Sequence, residues 1–194
     1  MEYIVGLAAS PRRGGNSEHL LDSALKGVRD FETRKIRLID YNIKPCMGCE
    51  YCRKTGVCVQ KDDFAELLEI VMGAAGIILA SPVYFYSLPG HAKSFIDRFQ
   101  PLWEQKYRLK TTTEGLHPPY AGGYISVAGS GGERVFECIR LPYKYMLDTM
   151  SADMYEPLVL RNHDSSPKEI PSDVLKKGLE YGENFSIFLQ KYRS

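Results

Sequence analysis

The chain has 194 residues, 44% hydrophobic and 25% charged, with a formal net charge of +1. That balance belongs to an ordinary globular protein with room for a sizeable core, expected here as one domain over residues 1–194. It excludes a strongly basic nucleic-acid binder and a charge-driven membrane binder, and no apolar run approaches the ~20 residues that cross a bilayer.

The opening stretch MEYIVGLAASPRR places no basic leader before its first apolar run. No signal peptide is expected, and a cytoplasmic, reducing location follows. Residues 2–9 suit a buried parallel strand. After a loop of Gly, Arg and Pro, Leu20, Leu21, Ala24, Leu25 and Val28 recur at helical spacing, with Asn16 or Ser17 as N-cap. Residues 33–40 (TRKIRLID) alternate as a more polar second strand, nearer a sheet edge. Next comes PCMGCEYCRKTGVCVQKDD, which sets Cys46, Cys49, Cys52 and Cys58 close together in a chain of five cysteines.

Asp63 and Glu66 resemble a capping box ahead of the helix FAELLEIVM. Residues 76–80 (GIILA) read as a fully buried third strand. Residues 89–99 carry an amphipathic helix with Phe95, Ile96 and Phe99 on one side; Lys93 and Asp97 form an i,i+4 pair, and Arg98 follows. Residues 101–120, with Trp103 and Pro118-Pro119, read as a loop, either a lid or a partner contact. Residues 124–128 (YISVA) form a fourth strand. A helix over 133–150 follows, which Pro142 should kink or split. Residues 157–160 (PLVL) give a short fifth strand, and a polar linker leads to a last helix over 174–192.

Strands alternating with helices specify an α/β fold: a doubly wound, five-stranded parallel sheet with a cysteine-rich loop, residues 45–61, after strand two. In the order 2-1-3-4-5, ligands bind beyond the carboxyl ends of strands one and three. The loops there are informative. SPRRGGNS runs into a helix N-terminus, where backbone N–H groups and the helix dipole attract an anion. Ser10, Asn16 and Ser17 add polar side chains, Arg12 adds a guanidinium that can grip phosphate, and Gly14 loosens the turn. Arg13 reads as solvated. Neither G-x-G-x-x-G nor G-x-x-x-x-G-K-[ST] is present, so a terminal monophosphate fits best; a polar turn that only caps the helix is the plainer alternative.

The third strand runs into Ser81, Pro82, Val83, Tyr84, Phe85 and Tyr86, an aromatic surface for a flat heteroaromatic ring or, alternatively, for a neighbouring loop or subunit. The fourth runs into Ala128, Gly129, Ser130 and Gly131, where backbone can approach a planar ligand closely. Together the three loops have the layout of an FMN site.

GLAASPRRGGNSEHLL and ILASPVYFYSLPGHAKSFIDRF resemble the NADPH-dependent FMN reductase superfamily, flavodoxin-like in fold. With PCMGCEYCRKTGVC between them, the resemblance narrows to the iron–sulfur flavoproteins. It covers residues 1–99 strongly and the remainder by element order. Cysteine spacing agrees. Zinc knuckles usually come as two separated pairs. Here three thiols share a C-x-x-C-x-x-C run and the fourth follows after five more residues. Bacterial ferredoxins use a similar run, but their fourth cysteine precedes proline and serves another cluster; here Val59 follows. The economical reading is one [4Fe–4S] cluster on Cys46, Cys49, Cys52 and Cys58, as the resemblance also implies. Zinc, disulfides and inert thiols are the alternatives. Cys138 reads as a small buried hydrophobe.

The resemblance implies an oxidoreductase passing electrons between the cluster and FMN to a small acceptor such as a quinone, peroxide or dioxygen, with ferredoxin or NAD(P)H as donor. It also implies a homodimer or homotetramer. An NAD(P)H-dependent FMN or quinone reductase without a functional cluster is the second reading, and a flavodoxin-like electron carrier the third, disfavoured by a charge of only +1. No catalytic residue is assigned. His91 is expected to be an exposed helix residue, and His19, His117 and His163 lack a ligand pattern.

Overall fold

The computed structural model describes residues 1–111, 119–163 and 170–192. Its core is a parallel sheet in the order β2-β1-β3-β4-β5, with β6 pairing β4 as well. The elements are β1 (Tyr3–Ala8), α1 (Asn16–Gly27), β2 (Glu32–Arg37), α2 (Tyr51–Thr55), α3 (Phe64–Met72), β3 (Gly76–Pro82), α4 (Gly90–Asp97), α5 (Gln100–Trp103), β4 (Ala121–Val127), α6 (Glu137–Thr149), β5 (Asp153–Met154), β6 (Leu158–Leu160) and α7 (Ser172–Gln190).

Strand composition explains the order. All residues of β1 and β4 are buried, whereas in β2 only Ile36 is. β2 therefore takes the edge, paired with β1 from Tyr3↔Glu32 to Ala8↔Arg37. Successive side chains along a strand face opposite layers. Val5, Leu7, Ile77 and Leu79 pack under α3, α4 and α6, while Ile4, Ala8, Ile78 and Ala80 pack under α1 and α7. Each fully buried Leu or Ile contributes about 1.5–3 kcal/mol. Phe95 locks α4 to α3 by meeting Phe64 at 5.9 Å and Phe99 at 5.2 Å between ring centroids.

Several elements differ from their sequence expectation. The fifth strand position is shared by two short segments, β5 and β6, both paired with β4. α6 is one helix despite Pro142; burial of Ile139, Tyr143, Met146 and Leu147 on one face outweighs a single missing N–H. α1 takes Gly15, not Asn16 or Ser17, as N-cap, with no side-chain cap bond. At α3 Asp63 holds the N-cap position, but the Asp62 carboxylate accepts from the Phe64 N–H at 3.2 Å. Residues 101–109 are not a loop: Pro101 suits the first turn of α5, and Glu104–Leu109 continues it as a wide helical turn. Residues 112–118, with His117, and residues 164–169 lie outside the described residues. No helix among the described residues is long and apolar enough to cross a membrane.

Candidate active site and cysteine cavity

β1, β3 and β4 are adjacent parallel strands, so the loops that follow them lie side by side. The Ala9 N–H donates to the Ala80 carbonyl at 2.8 Å, and the Val83 N–H to the Val127 carbonyl at 3.2 Å. The segments SPRRGGNS, SPVYFY and AGSGG thus meet at one mouth of the sheet.

In the first segment Ser10 is buried and its Oγ accepts from the Arg12 N–H at 3.2 Å. Gly14 sits at φ +63°, a conformation glycine adopts without strain. Its N–H donates to Glu18 Oε2 at 2.8 Å. Ser17 is buried, Asn16 half-buried, and Arg12 and Arg13 exposed. Arg13 pairs with Asp40 at 3.1 Å. The Glu18 carboxylate, 5% exposed, also takes Lys35 Nζ at 2.9 Å and Arg37 Nε at 3.1 Å. Burial pushes the Glu18 carboxyl up, but the bonds from Lys35 and Gly14 and the charges of Lys35 and Arg37 outweigh it and hold the group below its usual range. Glu18 therefore braces the loop while leaving the start of α1 without a side-chain cap. A glutamate in the first helical turn was the available sequence signal.

In the second segment Ser81 is fully buried and its Oγ donates to the Pro82 carbonyl at 2.8 Å, with Pro82, Val83 and Tyr84 half-buried. Tyr84 and Ser87 exchange two backbone bonds of 2.9 Å around Phe85 at φ +50° and Tyr86 at φ +53°. Two-residue turns with both φ values positive normally take Asn-Gly. Holding two aromatics there stores strain of about 1–3 kcal/mol per residue, and such strain gathers at ligand sites. Phe85 is fully exposed. In the third segment Ala128 is buried while Gly129, Ser130 and Gly131 are exposed. A Cβ on Gly132 would run into the Tyr86 hydroxyl, so the aromatic turn rests directly on this glycine segment.

His91, expected to be exposed, is half-buried at the start of α4. Its imidazole hydrogen-bonds the Ala9 backbone, and its Nε2 is buried without a partner among the described residues. Burial lowers its pKa, the Ala9 bond opposes that, and the Arg37 charge lowers it further. Its contact with Ala9, just before the first mouth segment, is long-range and invisible to helical periodicity.

The cysteine loop follows β2 and packs against the C-terminal end of α4 and against α5 and the helical turn after it. Cys46, Cys49, Cys52 and Cys58 all line one cavity of 260 Å³, closed by Asp97, Arg98, Pro101 and Glu104. All four are free thiols, and no residue lining their cavity belongs to the three mouth segments. Cys46 and Cys49 are exposed, Cys52 and Cys58 half-buried. Burial pushes the Cys52 thiol up, and the Glu104 charge adds to it. Among the described residues no three His, Cys, Asp or Glu side chains converge as ligands on one point. Cys138, half-buried, sits near the Val135 carbonyl at 3.0 Å.

The residue types present, though not a converged ligand set, suit the chemistry of both implied groups. Four soft sulfur donors around one cavity suit iron–sulfur ligation, and a buried donor, Arg98 Nε, lines that cavity with no partner among the described residues. The mouth offers a helix N-terminus without a side-chain cap for a phosphate and a strained aromatic turn over glycine backbone for a planar ring.

Comparison with known proteins gives a consistent result. The sequence model of a family described as NADPH-dependent FMN reductase matches residues 3–151. An iron-sulfur flavoprotein of Archaeoglobus fulgidus is 39% identical over 66% of this chain and 55% of its own. An iron-sulfur flavoprotein of Methanosarcina thermophila is 33% identical over 70% of each chain. The chain thus spans about half the length of the first relative and more of the second. A solved flavone reductase superposes with a TM-score of 0.75 at 18% identity, over 98% of this chain and 64% of that one, a likeness of fold.

Proposed function

The chain belongs to the NADPH-dependent FMN reductase family, alongside iron–sulfur flavoproteins, and from that premise we propose that it is an FMN-dependent oxidoreductase whose four-cysteine loop holds a [4Fe–4S] cluster. Residues 1–194 would act as one flavodoxin-like FMN-binding domain. Electrons would enter from a ferredoxin or NAD(P)H and leave to a small acceptor such as a quinone, peroxide or dioxygen. The single observation that carries the reading is four free thiols around one cavity in a chain of the FMN reductase family.

Ser10, Arg12, Gly14, Asn16 and Ser17 would hold the phosphate, using the backbone donors and positive dipole end of α1. Glu18 keeps that loop in place from behind through the Gly14 N–H. Val83, Tyr84 and Phe85, with Ser81 and Pro82 behind them, would bound one side of the ring. Ala128, Gly129, Ser130 and Gly131 would bring backbone to it. Cys46, Cys49, Cys52 and Cys58 would be the metal ligands. When bound, the two cofactors supply the one- and two-electron chemistry themselves; the chain orients them and limits their contact with water.

An apolar groove between α4–α5 and α6, lined by Ile96, Phe99, Trp103, Leu141 and Tyr145, supports a homodimer or homotetramer. The test is to reconstitute the chain anaerobically and count cofactors. One FMN with about four irons and four sulfides per chain is expected. FMN without iron would return the reading to an NAD(P)H-dependent flavin reductase.

A further inference from the structure

A buried ion pair closes the base of the cysteine loop. The side chains of Arg98 and Asp62 are each 1% exposed. Arg98 Nη1 donates to Asp62 Oδ2 at 2.5 Å and to the Lys44 carbonyl at 2.9 Å; Nη2 donates to Asp62 Oδ1 at 3.0 Å. Asp62 Oδ2 accepts in turn from the Lys44 N–H at 2.9 Å. Both backbone groups of Lys44 therefore end on this pair. Lys44 precedes the first cysteine of the loop and Asp62 follows the last, so the pair joins the two ends of the loop to each other and to α4. The Phe64 ring covers the guanidinium at 4.8 Å.

A buried ion pair is costly to desolvate, and apolar residues could fill the same space at equal or better stability. What they could not supply is the remaining donor. Arg98 Nε is buried without a partner among the described residues and lines the cavity that holds Cys58. The Cys58 side chain interacts with the Arg98 guanidinium. A lysine would keep the charge but lose both the planar fork on Asp62 and the Nε donor.

We propose that the Arg98–Asp62 pair clamps the four-cysteine loop shut at its base, and that Arg98 Nε–H is the hydrogen-bond donor held for the Cys58 sulfur. Arg98 is then a positioning residue, and the proposal rests on the four-thiolate reading of the loop. Hydrogen bonds and positive charge at cluster sulfurs favour the reduced, more negative state. Removing the donor moves the one-electron midpoint to lower potential, by about 59 mV for each tenfold change in the equilibrium.

The experiment compares the full-length wild type with Arg98→Lys and with the double variant Arg98→Gln/Asp62→Asn, which removes both charges and leaves neither orphaned. Hydrogen exchange over residues 44–62 is measured in metal-free protein. Iron content and midpoint potential are measured after anaerobic reconstitution. Faster loop exchange in both variants, with less retained iron or a lower midpoint in Arg98→Lys, is expected. Unchanged exchange overturns the clamp, and an unchanged midpoint with full iron in Arg98→Lys overturns the donor. A wild type that binds FMN but takes no iron refutes the four-thiolate reading and the donor with it, and the exchange data then decide the clamp alone.

Discussion

The turn at Phe85 and Tyr86 gives a prediction whose sign is opposite to that of most substitutions. Phe85 is held at φ +50° and is fully exposed, so a residue that tolerates this conformation removes strain without removing burial. A left-handed conformation costs an ordinary L-residue about 1–2 kcal/mol, and asparagine relieves part of that by local hydrogen bonding. Phe85→Asn should therefore stabilise the FMN-free protein by about 1 kcal/mol. For a chain of this size that raises the thermal midpoint by about 2–4 °C. Phe85→Ala keeps a Cβ and the strain, so its midpoint should stay at the wild-type value. Both variants lose the ring, and both should bind FMN more weakly by the ~0.5–1.5 kcal/mol of an aromatic contact. Calorimetric unfolding with and without flavin measures both quantities. Equal midpoints for the Asn and Ala variants would refute the strain, and unchanged FMN affinity would refute the ring's role at the ligand.

Gly132→Val should displace Tyr86 and weaken FMN binding, read by fluorescence titration, while urea unfolding of the FMN-free chain changes little. Glu18 and Asp62 have carboxyls held below their usual range, so their contribution to stability is complete above the unfolded pKa of about 4 and is lost as pH falls through the lower folded value. Acid unfolding should accordingly begin below about pH 4, and Glu18→Gln should flatten that limb; a variant with the wild-type acid profile would contradict the pairing. His91, with its pKa lowered by burial, should titrate below about 6.5 by NMR, and a value at or above that would place it in solvent.

Sheet order and the positions of the three mouth segments were legible because they depend on local signals. GIILA is apolar throughout and becomes the central strand, while the polar alternation of ETRKIR marks the edge. The family resemblance rested on contiguous motifs that the matched region 3–151 also spans. What sequence reading missed depends on distant partners. Arg98 looks like one more charge on an amphipathic helix, and only the fold brings it to Asp62 and Lys44. The same fold turns Asp62 rather than Asp63 toward the Phe64 N–H. His91 reads as a surface residue until Ala9 is packed beside it. Pro142 reads as a break because the missing N–H is visible in sequence and the buried face that compensates for it is not.

Electron passage through the cysteine loop is tested most directly by the rate at which reduced ferredoxin bleaches bound FMN in anaerobically reconstituted protein. Wild type should react at least about tenfold faster than Cys49→Ser with equal flavin content. Equal rates in the two proteins would show that the thiols take no part in reducing the flavin.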